Sequence, residues 1–139
     1  MAISIRRIMN PYPVHLPATA SLREAATVMR DENIGAVVVE EGGTFCGIVT
    51  DRDIVVRALA EGRTEDANLG SICSQDITAL LPENTDEDAA RLMKEKSIRR
   101  LPVIQENGRV VGIVSLGDLA IEKDPHSVLA WISAAPSNV

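Results

Sequence analysis

The sequence predicts a mixed α/β protein built from two copies of one unit. Three observations carry this. The phrase "GIVTDRD" at 47–53 returns as "GIVSLGD" at 112–118. The rest of the chain overlays itself at an offset of 64 residues: Ile8 meets Ile72, Leu16 meets Leu80, Ala25 meets Ala89, Met29 meets Met93 and Val39 meets Val103. Beyond the next turn the offset becomes 65, so the second copy carries one extra turn residue. Within each copy the apolar spacing runs from helical to strand period and back. A repeat of two argues for a pseudo-symmetric pair rather than an open solenoid.

Each copy opens on a short extended segment, "YPVHL" or "DITAL". A helix follows at "SLREAATVM". Ser21 is its cap, Glu24 three places on completes a capping-box pattern, and Leu22, Ala25, Ala26 and Met29 recur at helical spacing. The second helix starts at Thr85 with Asp88. There Asp86 stands where the first copy has Leu22, which predicts a more polar start. "IGAVVVE" and "IRRLPVIQ" read as strands, rich in β-branched residues. Pro102 cannot donate to a ladder and belongs at an edge or an irregular start. "EGGT" and "ENGR" are turns, and Asn107-Gly108 is a strong hairpin signal. The returning strands end in "GIVT" and "GIVS", and a last helix begins after each hydroxyl. The predicted organisation is repeat 1 over 1–62, a solvated acidic linker over 63–70, repeat 2 over 71–124, and a C-terminal helix and tail over 125–139. That helix is predicted to stop before Pro136, with Trp131 as its packing anchor.

Composition narrows the function classes. Apolar residues make up 45% of 139, but aromatics only 2%. Small aliphatics suit helix-on-sheet packing and give no stacking platform for bases. The net charge is −6, and the local basic pairs are Arg6-Arg7 and Arg99-Arg100. Phosphate-backbone binding needs clustered cations, so nucleic acid is not expected as a main partner. Cys46 and Cys73 form no CxxC motif, as in a reduced cytoplasmic protein. No secretory leader is visible, and no apolar run approaches the roughly 20 residues that span a bilayer.

The repeated phrase has two compatible readings. Thr50 with Asp53, and Ser115 with Asp118, can simply start helices, each cap worth about 1 kcal/mol. The same geometry can hold a nucleotide. A helix start presents unpaired N–H groups to anions. The hydroxyl adds a donor for phosphate, and an aspartate one turn in can take two hydrogen bonds from a ribose diol.

The doubled pattern, with "GIVTDRD", "GIVSLGD", "SLREAATVM" and "SIRRLPVI", resembles a tandem pair of CBS domains, named after cystathionine β-synthase. The resemblance covers roughly residues 1–124. It implies two β-α-β-β-α repeats packed through their sheets with pseudo-two-fold symmetry. It implies a cleft between them for AMP, ADP, ATP or S-adenosylmethionine, with no cofactor or metal required. It also implies a homodimer, and a regulatory rather than catalytic role toward a client enzyme or transporter. By position, Ser115 corresponds to the family's phosphate-contacting hydroxyl and Asp118 to its ribose-binding carboxylate. Thr78, Ala79 and Leu80 correspond to the segment against the base. Ile98, Arg99, Arg100, Leu101 and Pro102 correspond to the strand entry lining the pocket. In the first copy Thr50 and Asp53 correspond to the same roles, with Val14, His15 and Leu16 beside the base and Arg52 at the helix start. Gly35 and Ala36 replace the arginine pair there, so the second site ranks first for an adenylate. The alternative is an interaction scaffold whose cleft holds no ligand.

An enzyme is not expected. His15 and His126 are isolated, neither cysteine has a base partner in its motif, and no "GxxxxGK[ST]" phosphate loop occurs.

Overall fold

The computed structural model describes residues 2–73 and 78–135. Its elements in chain order are α1 (Ile5–Ile8), β1 (Asn10–Pro11), β2 (His15–Pro17), α2 (Leu22–Glu32), β3 (Ala36–Glu41), β4 (Thr44–Thr50) and α3 (Asp51–Asp53). Then come α4 (Asp86–Lys96), β5 (Arg100–Ile104), β6 (Val110–Ser115), α5 (Leu116–Lys123) and α6 (Val128–Ala134). The turns after α3 widen to π-helical spacing over Ile54–Leu59, and a single 3₁₀ turn spans Leu69–Ser71. The chain forms two compact units. The first is Val14–Ile77; the second joins Met1–Pro13 to Thr78–Asn138.

In the first unit the sheet order is β2-β3-β4. β2 lies parallel to β3, with Leu16 opposite Val39, and β3 is antiparallel to β4, with Ala36 opposite Thr50. In the second unit β5 pairs antiparallel with β6, Arg100 opposite Ser115, and Leu80 forms a parallel bridge to Val103 just as Leu16 does to Val39. β1 adds to the far edge of β6. Pro102 is tolerated because that parallel bridge uses its carbonyl, which accepts from the Leu80 N–H at 2.9 Å, and asks for no donor from it. Of the predicted segment "DITAL", Asp76 and Ile77 lie outside the described residues.

The turns explain the change of offset. Gly42 and Gly43 both have positive φ, as a two-residue type I′ hairpin requires. In the second copy Gln105 and Arg109 close a three-residue loop, with the Gly108 N–H on the Gln105 carbonyl at 2.9 Å and Gly108 at φ 85°. Both hairpins carry a bulge at the same place, after Val39 and after Val103.

Every α-helix from α2 to α6 starts on a side-chain cap. Thr85 and Asp88 make the full reciprocal box, while Ser21 accepts from the Glu24 N–H at 3.0 Å. α2 and α4 both end on a left-handed residue, Asn33 at φ 57° and Ser97 at φ 56°. Asparagine tolerates that conformation better than serine. Ser97→Asn is expected to raise stability by about 0.5 kcal/mol, read as a higher urea midpoint at unchanged slope.

The apolar stripes meet as the repeat predicts. Leu22, Ala25 and Met29 pack on Val37, Val39 and Val49 in the first unit; Ala89 and Met93 pack on Leu101, Val103 and Val114 in the second. Burying each Val, Leu or Met contributes about 1.5–3 kcal/mol before entropy is counted.

Two expectations, the solvated linker and the Trp131 anchor, are corrected. The segment 63–70 is solvated over Arg63–Asp66, but Ala67, Leu69 and Gly70 are docked. The Ala67 carbonyl accepts from the Leu22 N–H at 2.9 Å, and Leu69 is fully buried. The more polar start of α4 is present, and its Asp86 is 1% exposed because the Ile3 amide and Lys123 pair with it. Trp131 is no packing anchor: it is 63% exposed, and α6 buries Ala130 instead. The residues from Pro136 onward lie outside the described ones.

Candidate functional site

The repeated phrase builds the same local geometry in both units. In the second, the Asp118 N–H donates to Ser115 Oγ at 3.1 Å, and the Ser115 N–H donates to Asp118 Oδ2 at 2.9 Å. In the first, Asp53 N–H to Thr50 Oγ1 is 3.1 Å and Thr50 N–H to Asp53 Oδ2 is 2.9 Å. The helix start is tied to the strand entry in each case. The Leu116 N–H reaches the Arg99 carbonyl at 2.8 Å, and the Asp51 N–H reaches the Gly35 carbonyl at 3.0 Å.

These bonds bring the second set of site residues to one end of one sheet. Arg100 and Ser115 are cross-strand partners, and Asp118 closes the box one turn into α5. Ile98 is held by its N–H on the Met93 carbonyl, and Thr78 and Ala79 lead into Leu80 along Pro102 and Val103. Leu101 and Leu80 are fully buried in the core, where they serve packing, and Pro102 is buried beside them. The first set assembles in parallel. Ala36 faces Thr50, Val14 accepts from the Val38 N–H at 2.8 Å, and Leu16 lies against Val39. His15 is on a strand rather than in a loop, its Nδ1 2.6 Å from Glu40 Oε1.

The two helix starts differ at one amide. In the first unit the Arg52 N–H is taken by its neighbour's carboxylate, Asp51 Oδ1, at 2.9 Å. An anion approaching there meets a negative charge already seated. The equivalent N–H in the second unit belongs to Gly117 and has no partner among the described residues. Sequence reasoning missed this amide; the signal was glycine at 117 where the first copy has Arg52.

The aspartates differ too. Asp118 Oδ1 has no partner among the described residues, whereas Asp53 Oδ1 has the Arg57 guanidinium at 3.9 Å. Elsewhere, a polar surface depression of about 370 Å³ is lined by Arg6, Pro82, Glu83, Gln105, Glu106 and Asn107. It shares no residue with either set, and Arg6 and Glu83 stand 4.0 Å apart across it.

Reactive groups are sparse. Among the described residues no three His, Cys, Asp or Glu side chains cluster as metal ligands. Both cysteines are free. Burial, then the hydrogen bond and proximity of Cys46, pushes the Cys73 thiol up to about 12. The thiolate is the nucleophile, so Cys73 is expected to resist iodoacetamide at pH 8 in the folded protein. Peptide mass mapping before and after urea unfolding checks this. No helix among the described residues is long and apolar enough to cross a membrane.

Sheet, hairpin, helix and doubled cap define a tandem repeat of one small α/β unit. The CBS domain family matches residues 5–59 and again 69–123, and the chain belongs to that family as a tandem pair. It is 37% identical over 120 residues to CBS domain-containing protein YhcV of Bacillus subtilis, covering 86% of this chain and 85% of that one. Hypoxic response protein 1 of Mycobacterium tuberculosis is 32% identical over 131 residues, covering 93% and 91%. The crystal structure of Hypoxic Response Protein I, solved with two coordinated zinc ions, superposes with a TM-score of 0.76 at 33% identity over 86% of this chain and 98% of that one. The CBS domain pair of protein MJ0100, solved with 5′-methylthioadenosine and S-adenosyl-L-methionine, shares the fold with a TM-score of 0.81 at 24% identity over 91% and 100%.

Proposed function

We propose that this CBS pair is a non-catalytic regulatory module that binds an adenosine-containing ligand, AMP, ADP, ATP or S-adenosylmethionine, and passes its occupancy to a partner. The observation that carries this reading is the second unit's helix start. It combines the unused Gly117 N–H, the capping hydroxyl of Ser115, the uncommitted Asp118 Oδ1 and the adjoining Arg99-Arg100 strand entry. The N–H and cations suit phosphate, and the carboxylate suits a ribose diol. Thr78, Ala79 and Ile98, each partly exposed, provide the aliphatic surface for the base, backed by the buried Leu80 and Pro102. The first unit, with Thr50, Asp53, Val14, His15, Leu16, Gly35, Ala36 and Arg52, is the weaker site, since Asp51 already occupies its anion position. A ligand moves such a module only by its differential affinity for two states.

Isothermal titration of nucleotide-free protein with the four ligands tests this. A micromolar site, about −8 kcal/mol, is expected for at least one. Absence of heat and of thermal shift with all four overturns it in favour of the second reading, a ligand-free scaffold for an enzyme or transporter. Exposed Val55, Val56 and Leu59 in the first unit, and Leu116 and Ile121 in the second, favour a homodimer whose second copy covers them. Its two unbridged thiols suit the cytoplasm.

A further inference from the structure

We propose that α6 is a displaceable lid on the phosphate end of the second unit's site, so that docked α6 and a ligand phosphate exclude one another. This rests on the adenylate reading above and adds to it a choice among ligands.

The contact is specific. A Cβ on Gly117 would stand 2.8 Å from Ser133 Oγ, closer than a Cβ sits to its neighbours, and 3.0 Å from Ser133 Cβ, a tight contact. α6 therefore touches α5 on the bare face of its first turn. The same glycine carries the one amide of that turn left without a partner among the described residues. Ser133 thus packs on the Cα of the residue that carries this N–H, so a phosphate seated on that amide would crowd α6. The first copy has Arg52 at this position, a side chain that such a contact forbids.

α6 is also built to leave. It has seven residues, too few to hold a helix in water unaided. Its single buried side chain is Ala130, and its cap is one bond from the Ala130 N–H to Ser127 Oγ at 3.0 Å. Val128, Trp131 and Ile132 face solvent at 68%, 63% and 67% exposure. Little apolar area is lost when it opens, so opening is a low-energy local event. A phosphate seated on Gly117 frees this apolar segment. Adenosine or S-adenosylmethionine, which bring no phosphate, leave it in place.

Trp131 is the chain's only tryptophan and reports on α6 directly. In full-length protein, ATP should lower Trp131 anisotropy and speed amide exchange over 128–134, and adenosine should do neither. Gly117→Ala places a methyl against Ser133 while favouring the α5 helix. It should release α6 without ligand and tighten ATP binding about fivefold, with adenosine affinity unchanged. Ala130→Asp frees the lid from its other anchor and should tighten ATP by a similar factor. If ATP binds wild type without changing exchange over 128–134, or if both variants bind ATP as wild type does, the lid is overturned and the adenylate site stands. If neither compound binds any of the three proteins, both fall.

Discussion

Asp86→Ala is expected to destabilise the protein by about 3 kcal/mol, read as a fall in urea midpoint at constant slope. Asp86 is the first residue of α4 and is 1% exposed. Its Oδ1 accepts the Ile3 N–H at 2.8 Å, and the Ile3 carbonyl accepts the Asp86 N–H at 2.9 Å. The other oxygen, Oδ2, faces the Lys123 ammonium at 2.7 Å. One carboxylate thus joins the N-terminal segment, α4 and α5. Alanine leaves the part-buried Ile3 amide without an acceptor and opens a void. Lys123, half exposed, can turn to water, which keeps the loss at the lower end of what breaking a buried ion pair costs. Asp86→Leu restores the residue of the first copy and refills the space. It still orphans the amide, so its loss should be smaller but not zero.

The pH dependence follows from the same bonds. The Ile3 N–H first, then Lys123, hold the Asp86 carboxyl below its ordinary 3.8. A lowered folded value means stabilisation that is complete above the unfolded value near 3.8 and is lost as pH falls through the folded one. Lys123 is raised above its ordinary 10.5 by Asp86. Its share is complete below that value and is lost as pH rises through the raised one. Wild type should be flat in this contribution between about pH 4 and 10, and Asp86→Leu should lose less stability than wild type on the acid side. Equal acid limbs would show that Asp86 is not the group that titrates there.

What the sequence discloses depends on how far apart the partners lie. Caps and turns are three-residue affairs, so Thr50 with Asp53 and Gly42-Gly43 could be read directly. The offset of 64 then 65 placed an extra residue in the second hairpin, where Gln105–Arg109 holds it. The burial of Asp86 depends on Ile3, 83 residues away, and no local pattern announces that pairing. The same separation hid the enrolment of Ile5 and Ile8 in the core of the second unit. Trp131 misled because hydrophobicity alone suggested an anchor. On a seven-residue helix the face that wins is the one with the closest approach: Ser133 fits Gly117 where an indole cannot, and the small Ala130 is the side chain that is buried. The candidate site was legible as residue types, and Gly35-Ala36 against Arg99-Arg100 already ranked the second copy first, but the asymmetry of the amides was not legible. The Asp51 carboxylate on the Arg52 amide, and the bare amide of Gly117, are facts of geometry.

That asymmetry sets the expectation for binding. Asp118→Asn should weaken ribonucleotide affinity by about 1.5–3 kcal/mol, roughly 10- to 100-fold, from the loss of charged hydrogen bonds. The amide oxygen of Asn can still accept the Ser115 N–H, so the cap survives and the fold is not at issue. What is lost is the second carboxylate oxygen, Oδ1, which has no partner among the described residues and is available to a diol. Asp53→Asn should matter less, because Asp53 Oδ1 already faces Arg57 at 3.9 Å. A 2′-deoxy nucleotide closes the cycle. Wild type should discriminate against it, and Asp118→Asn should bind the ribo and deoxy forms alike. If the variant keeps its preference for the ribose, the carboxylate does not hold the diol, and the sugar lies elsewhere.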